Sequence, residues 1–254
     1  MTDRPADAQR FPVESFAWPA GRRAAVSLTF DDARQSQVAT GIPILGRHGL
    51  RGTFFVSIGS LEQRPDDWKR AAETGHEIAN HTLTHPCSGN FGFAHGNALE
   101  LYTLDRMEDE LTEASETIEQ LVGVRPRTFA YPCGQTYVGR GENARSYVPL
   151  VARHFLAGRN AFDEIHNDPT FCDLAQLFSL DADQKGLDTL LGWVGAARAA
   201  GGWLILMVHD IGGDGRQTIN AQVLDSLCRE LTATPDVWVD TMAAVAEHIA
   251  ATRR

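Results

Sequence analysis

Residues 24–33 read AAVSLTFDDA, an apolar, β-prone run that ends in two adjacent carboxylates. The first seven residues predict a strand, and runs of the same kind recur at GTFFVSI (52–58), HEIAN (76–80), RTFAY (127–131), HFLAG (154–158), LFSLD (177–181), WLILMV (203–208) and VWVD (237–240). Several are apolar on both faces, as strands are in a sheet covered on both sides. Between them lie amphipathic stretches at 36–49, 66–75, 98–123, 144–155, 186–201 and 221–233, where apolar residues recur at helical spacing. Strand and helix alternate about seven times, which is the grammar of a parallel α/β sheet or a closed barrel. Gly49, Gly75, Gly123 and Gly202 fall between a helical pattern and the next strand, where a left-handed C-cap is expected. No fixed-period repeat or low-complexity linker divides the chain, so one domain over 23–254 is expected. An extended arm is expected over 1–22, where Pro5, Pro12 and Pro19 fall.

Acidic residues outnumber basic ones 33 to 23, and the net charge of -10 argues against a nucleic-acid surface and against anionic membranes. Cys87, Cys133, Cys172 and Cys228 form no C-x-x-C pair and read as free thiols in a reducing compartment, a disulfide being the alternative. The first 25 residues lack the apolar core of a signal peptide, and WLILMV is too short to span a bilayer. A cytoplasmic protein is therefore expected, although an exported chain already trimmed of its leader would read the same way.

The chemistry-bearing residues cluster at the C-terminal ends of the predicted strands, where α/β barrels place their active sites. Strand 24–30 runs into Asp31 and Asp32, the strand near 78 into NHTLTHPC (80–87) with His81 and His85, and the strand near 205 into His209. One Asp and two His make a site for Zn²⁺, or for Co²⁺ or Ni²⁺, with positions left for water and substrate. Two adjacent carboxylates in one such site repel, so one can ligate while its neighbour accepts the proton of an attacking water. The plainer alternatives are that Asp-Asp opens a turn and caps a helix from Ser36, and that the histidines are structural. The glycine-rich loop CSGNFGFAHGN (87–97) is placed to line a site, and Tyr131 is the aromatic best placed to line the pocket. His76 reads as a structural hydrogen-bonder, Trp203 as packing, and Cys87 and Cys133 lack the paired base that thiol catalysis needs.

Four ordered stretches, TFDD (29–32), HTLTH (81–85), TFAYPCG (128–134) and LILMVH ending at His209, resemble the motifs of the polysaccharide deacetylases of the NodB-homology type, carbohydrate esterase family 4. The resemblance covers roughly residues 24 to 211. It implies a distorted (β/α)7 barrel that uses a divalent metal to remove N-acetyl groups from an N-acetylated carbohydrate. By that resemblance Asp31 is the general base, Asp32, His81 and His85 are the metal ligands, and His209 is the general acid. The backbone N–H of Cys133 is then the oxyanion donor. Many relatives carry an arginine that pairs with the base, where this chain has Ala130. Arg159, in GRNAFDE, is the candidate replacement. No D-x-x-D-W match supplies the carboxylate that orients His209, for which Asp181 is the first candidate and Asp163 the second. Two rival readings remain: an allantoinase-like hydrolase of a small cytosolic C–N substrate, and a catalytically silent carbohydrate-binding relative.

Overall fold

In the computed structural model, which describes residues 16–253, the strand opened by AAVSLTF runs over Ala24–Asp31 (β1), and every residue of it is buried. Burial on both faces requires neighbours on all sides. After a π-helical turn at Gln37–Gly41 come α1 (Ile42–Arg47), β2 (Thr53–Val56), α2 (Ile58–Leu61), α3 (Pro65–Glu73) and β3 (Glu77–Asn80). The longest helix, α4 (Leu104–Val122), is N-capped by Thr103, whose Oγ1 accepts the Arg106 N–H at 3.2 Å. It leads into β4 (Thr128–Ala130), the small hairpin β5 (Tyr137–Val138) and β6 (Arg145–Ser146), α5 (Val148–His154) and β7 (Ala157–Arg159). The chain finishes with β8 (Leu180–Asp181), α6 (Leu187–Ala200), β9 (Trp203–Val208), β10 (Asp210–Ile211), β11 (Thr218–Ile219), α7 (Ala221–Thr232), β12 (Val237–Val239) and α8 (Met242–Thr252).

The main sheet is parallel throughout, in the order β7-β4-β3-β2-β1-β9-β8. β12 pairs with the first half of β1, on the edge whose second half takes β2. The two ends of the arc meet through Leu177, three residues before β8: its N–H donates to the Gly158 carbonyl at 2.8 Å, and its carbonyl accepts the Asn160 N–H at 2.7 Å. The sheet is thereby curled into the expected distorted barrel. Side-chain alternation sorts the core. Val26, Leu28 and Phe30 of β1 and Leu204, Leu206 and Val208 of β9 belong to the larger cluster, packed beneath α1, α6 and α7. Ala25, Ala79, Ala130, Ala157, Trp203 and Ile205 belong to a second cluster, together with Met242, Val245, Ala246 and Ile249 of α8.

The structure departs from the expected boundaries in ways that have local causes. His154 belongs to the end of α5, so the strand expected over 154–158 begins at Ala157. The left-handed cap after α6 is Gly201, with φ 73, and not Gly202, whose N–H donates back to the Ala197 carbonyl at 2.9 Å. Helix α8, which follows no amphipathic pattern picked out above, docks at the starts of β2 and β3. There the Met242 N–H donates to Thr53 Oγ1 at 2.8 Å and the Ala243 N–H to Glu77 Oε2 at 2.9 Å. The expected arm lies outside the described residues up to position 15, and from there Trp18 is buried with its Nε1 donating to the Gly201 carbonyl at 2.9 Å. No described helix is long and apolar enough to cross a membrane.

Gly158 lies at the closure, where its carbonyl accepts the Leu177 N–H. A Cβ there would meet Val151 Cγ1 at 2.6 Å and the Ala175 carbonyl oxygen at 2.9 Å, and a carbonyl held in the barrel closure cannot give way. Gly158→Ala is expected to destabilise the fold by roughly 1–3 kcal/mol. Urea unfolding checks this, and an unshifted midpoint would mean that the closure at Gly158 is looser than described.

Candidate active site

Five of the parallel strands deliver a polar residue to one rim of the barrel. Asp31 is the last residue of β1, and Asp32 follows it. His81 follows β3, Arg159 ends β7, Asp181 ends β8 and His209 follows β9. The turns that carry these residues hold side chains in the left-handed region that non-glycine residues avoid: Asp32 (φ 77), Ala33 (φ 54), Thr82 (φ 66), His85 (φ 54) and Cys133 (φ 54). Such conformations persist only where surrounding bonds over-determine them. For the 81–85 turn those bonds come from Asn80 and Glu110. Asn80 Oδ1 accepts the Thr82 N–H at 2.8 Å, while buried Glu110 on α4 accepts the Leu83 and Thr84 N–H groups at 3.0 and 2.8 Å and the Thr84 hydroxyl at 2.6 Å. His81 and His85 thus face one point from an irregular turn held by Asn80 and Glu110.

Asp32 Oδ1 lies 3.7 Å from His81 Nε2 and 3.6 Å from His85 Nε2, and the three side chains can offer donor atoms all within 4.8 Å of one another. His81 Nδ1–H donates to the Ala130 carbonyl at 2.8 Å, which leaves the lone pair on Nε2, facing Asp32. Burial holds the His81 pKa down to about 4, against the pull of Asp31 and Asp32, so the ring is neutral at pH 7. A neutral imidazole fixed through its far nitrogen is the form that ligates a metal. Burial alone would raise Asp32, but His81, His85, His209 and the Arg34 hydrogen bond outweigh it and hold the carboxyl at about 2. This donor set, one anionic oxygen and two imidazole nitrogens, fits a divalent ion such as Zn²⁺.

The other Asp32 oxygen is taken by Arg34, whose Nη2 and Nε donate to Oδ2 at 2.9 and 3.2 Å. Arg34 also donates to Asp210 Oδ2 at 2.7 Å and to Gln217 Oε1 at 2.8 Å, and Gln217 Nε2 lies 3.3 Å from His209 Nε2. The carboxylate of Asp31, by contrast, is held by Arg159, which donates from Nη2 to Oδ1 with both side chains buried. The guanidinium also lies over the Phe55 ring, 4.6 Å from its centre. Arg159 is the register partner of Ala130 on the adjacent strand, so the cation absent at 130 enters from one strand further along.

Three expectations are corrected here. His209 is oriented by Asp183 and not by Asp181: Nδ1–H donates to Asp183 Oδ2 at 2.7 Å and the His209 N–H to Oδ1 at 3.2 Å. Asp181 instead accepts the Asp183 N–H at 3.0 Å, and Asp163 accepts that of Ser179 at 2.8 Å, so both act on backbone. Tyr131 lines no pocket. It is buried against Phe129 and Tyr147, and its hydroxyl donates to the Ala175 carbonyl at 2.6 Å. Cys87 and Cys133 are not free thiols but form a disulfide, leaving Cys172 and Cys228 unpaired. Four further residues at the site escaped the sequence reading: Asp183, Arg34, Glu110 and Gln37. The last donates from Nε2 to the carbonyls of both Asp31 and His209, at 2.5 and 2.9 Å, and so ties β1 to β9. Only Asp183 had a usable signal, since SLDAD offers a second carboxylate two residues beyond the strand end at Asp181.

The polysaccharide deacetylase family model matches residues 19–147, and the chain belongs to that family. It is 42% identical over 110 residues to the peptidoglycan-N-acetylglucosamine deacetylase PgdA of Listeria monocytogenes, a stretch that covers 43% of this chain and 21% of that protein. Matches to the curated relatives span from 6% to 42% of their length. Among solved structures, a Mycobacterium smegmatis protein described as a candidate polysaccharide deacetylase superposes with a TM-score of 0.67 at 24% identity, covering 92% of this chain and 93% of that one. A Bacillus anthracis protein described as a CE4 family pseudoenzyme superposes with a TM-score of 0.60 at 19% identity, over 89% of this chain and 66% of that one.

Removing one partner of a buried ion pair strands the other. Arg159→Met is therefore expected to cost roughly 3–5 kcal/mol of stability, and Asp31→Asn combined with it should recover part of that loss. A double-mutant cycle by denaturant unfolding measures both; additive losses would mean that the two groups do not interact.

Proposed function

We propose that this protein is a metal-dependent deacetylase that hydrolyses the N-acetyl group of an amino sugar within an N-acetylated carbohydrate. The observation that carries this reading is the convergence of Asp32 Oδ1 with the Nε2 atoms of His81 and His85 beside two separately oriented groups, Asp31 on Arg159 and His209 on Asp183. Asp32, His81 and His85 would hold the ion, which supplies Lewis acidity toward the amide carbonyl and the attacking water.

The remaining steps belong to side chains of this protein. Asp31 accepts the proton of the attacking water, with Arg159 fixing its orientation. The Cys133 N–H, in a turn whose neighbouring Gly134 N–H is already spent on the Tyr131 carbonyl at 2.9 Å, donates to the developing oxyanion. His209 protonates the departing amine from Nε2 while Asp183 holds Nδ1. Burial lowers the His209 pKa, but the Asp183 hydrogen bond and the charges of Asp31, Asp183 and Asp32 outweigh it and raise it above the ordinary histidine value. Within this reading the substrate is a glycan chain, as the name of the similar PgdA suggests, in preference to a small cytosolic amide. The Cys87–Cys133 disulfide supports an oxidising compartment in place of the cytoplasm expected above.

Acetate release from N-acetylglucosamine oligomers is expected with metal present and is expected to stop on chelation and return on adding Zn²⁺. Metal-loaded protein that releases no acetate from any amino sugar would sink the proposal. Asp31→Asn should lower kcat by roughly 100-fold or more. His209 acts protonated, so activity falls as pH rises through its raised pKa. Asp183→Asn removes the main raising influence and leaves burial, so the alkaline limb of the kcat profile should move to lower pH. A limb that stays in place would assign it to another group.

A further inference from the structure

The disulfide joins the two segments that matter most to the site. Cys87 lies two residues after His85, and Cys133 lies in the turn after β4 with φ 54. Cys87 Sγ is 3.7 Å from His85 Nδ1, while the opposite nitrogen of the same ring, Nε2, faces Asp32 at 3.6 Å. His85 therefore stands between two donor sets: Asp32, His81 and His85 through one nitrogen, and His85, Cys87 and Cys133 through the other. In the second set, as in the first, one donor atom from each residue lies within 4.8 Å of the others. Oxidised, the two sulfurs spend their bonding capacity on each other. Reduced, they are two thiols beside an imidazole, a soft N,S,S set suited to Zn²⁺, Co²⁺ or Cd²⁺.

We propose that the Cys87–Cys133 disulfide masks a second metal site, which opens on reduction and uses Cys87, Cys133 and Nδ1 of His85 to bind a thiophilic divalent cation. With a phosphine as reductant, the S–S bond breaks and the phosphine is oxidised to its oxide with oxygen from water. Each sulfur gains one electron and one proton. A cellular dithiol would serve equally, becoming a disulfide itself. The cation then displaces both thiol protons and forms two metal–sulfur bonds and one metal–nitrogen bond.

A neutral imidazole has one lone pair. When Nδ1 of His85 ligates the thiolate-bound ion, Nε2 carries the proton and no longer ligates beside Asp32. Filling the second site thus dismantles the first, and reduction in the presence of metal switches the site off. That consequence for turnover rests on the function proposed above; the thiolate site itself does not.

The surroundings fit a latch that can open and reclose. The Cys87 carbonyl accepts the Leu99 N–H at 3.0 Å, the Ser88 N–H donates to Gln135 Oε1 at 2.6 Å, and the Gly89 N–H to Glu100 Oε2 at 2.9 Å. The Ser88–Gln135 bond ties the two sulfur-bearing segments to each other without the S–S bond, and the other two fasten the Cys87 segment to residues 99 and 100. Cys87 is buried but Cys133 is partly exposed, so a reductant approaches the bond from the Cys133 side.

Cobalt titration of the full chain tests the site. Alkylation of the unfolded, unreduced protein should label two of the four cysteines, and all four after phosphine treatment. Co²⁺ added to the oxidised protein should give no thiolate-to-metal charge-transfer band, whereas the reduced protein should develop one that saturates at one equivalent. Cys87→Ser and Cys133→Ser should each abolish it. Because either could impair folding, the Cys172→Ser/Cys228→Ser variant serves as the positive control and should retain it. Reduced, cobalt-loaded protein should release acetate roughly tenfold more slowly or worse, with recovery on reoxidation. The proposal is overturned by four labelled cysteines before reduction, by no band after verified reduction, or by a band that survives Cys87→Ser and Cys133→Ser. If the band behaves as expected but no form releases acetate, the second site stands and the deacetylase reading fails.

Discussion

A guanidinium and a carboxylate buried together, Arg159 on Asp31, set the conditions for everything at this rim. Neither group can be left alone out of water, because an unpaired buried charge costs several kcal/mol. They belong to strands that β4, β3 and β2 separate in the sheet order, so they meet only if the sheet curls. The curl in turn needs small residues where the strands crowd: Ala25, Ala79, Ala130 and Ala157 occupy the inner cluster, and Gly158 lies against the Ala175 carbonyl. Ala130 is thus both the vacancy that lets Arg159 in and part of the wall that lets the barrel close. Phe55 lies beneath the guanidinium and excludes water from the pair.

That pair also resolves the problem of two adjacent aspartates. Two carboxylates in one low-dielectric site repel unless each has its own counter-charge. Asp31 faces inward to Arg159. Asp32, turned by a left-handed backbone, faces His81 and His85 with one oxygen and Arg34 with the other. Neighbouring residues therefore hold different surroundings: Asp31 is buried on Arg159 alone, whereas Asp32 is partly exposed and shared between Arg34 and the two imidazoles that face it. The chemical division of labour in the proposed reaction follows from that difference, and Gln37 keeps it rigid by bonding the backbones on which Asp31 and His209 sit.

Much of this was readable in the chain because strands advertise themselves by composition, and parallel sheets place function at strand ends. β1 and β9 were read to within a residue, and Asp31, Asp32, His81, His85, Arg159 and His209 do gather at one rim. What escaped the reading depends on which way a turn goes. Asp181 ends β8 and Asp183 lies in the turn after it, and only the path of that turn decides that Asp183 reaches His209. Tyr131 follows a strand end like the site residues do, yet the φ 54 turn at Cys133 sends the chain onward while the ring folds back on Phe129 and Tyr147. The disulfide spans 46 residues of sequence and becomes visible only when β3 and β4 are known to be neighbours. Glu110 looks like one more acidic residue on an amphipathic helix, although it holds the histidine turn in place.

Anomalous diffraction at the zinc absorption edge, from crystals of the oxidised protein grown with Zn²⁺, tests the central arrangement most directly. The account predicts one strong peak roughly 2.0–2.2 Å from an Asp32 oxygen and from Nε2 of both His81 and His85, with Asp31 still on Arg159 beside it. A zinc peak elsewhere, or none at this rim with Zn²⁺ in excess, would contradict it.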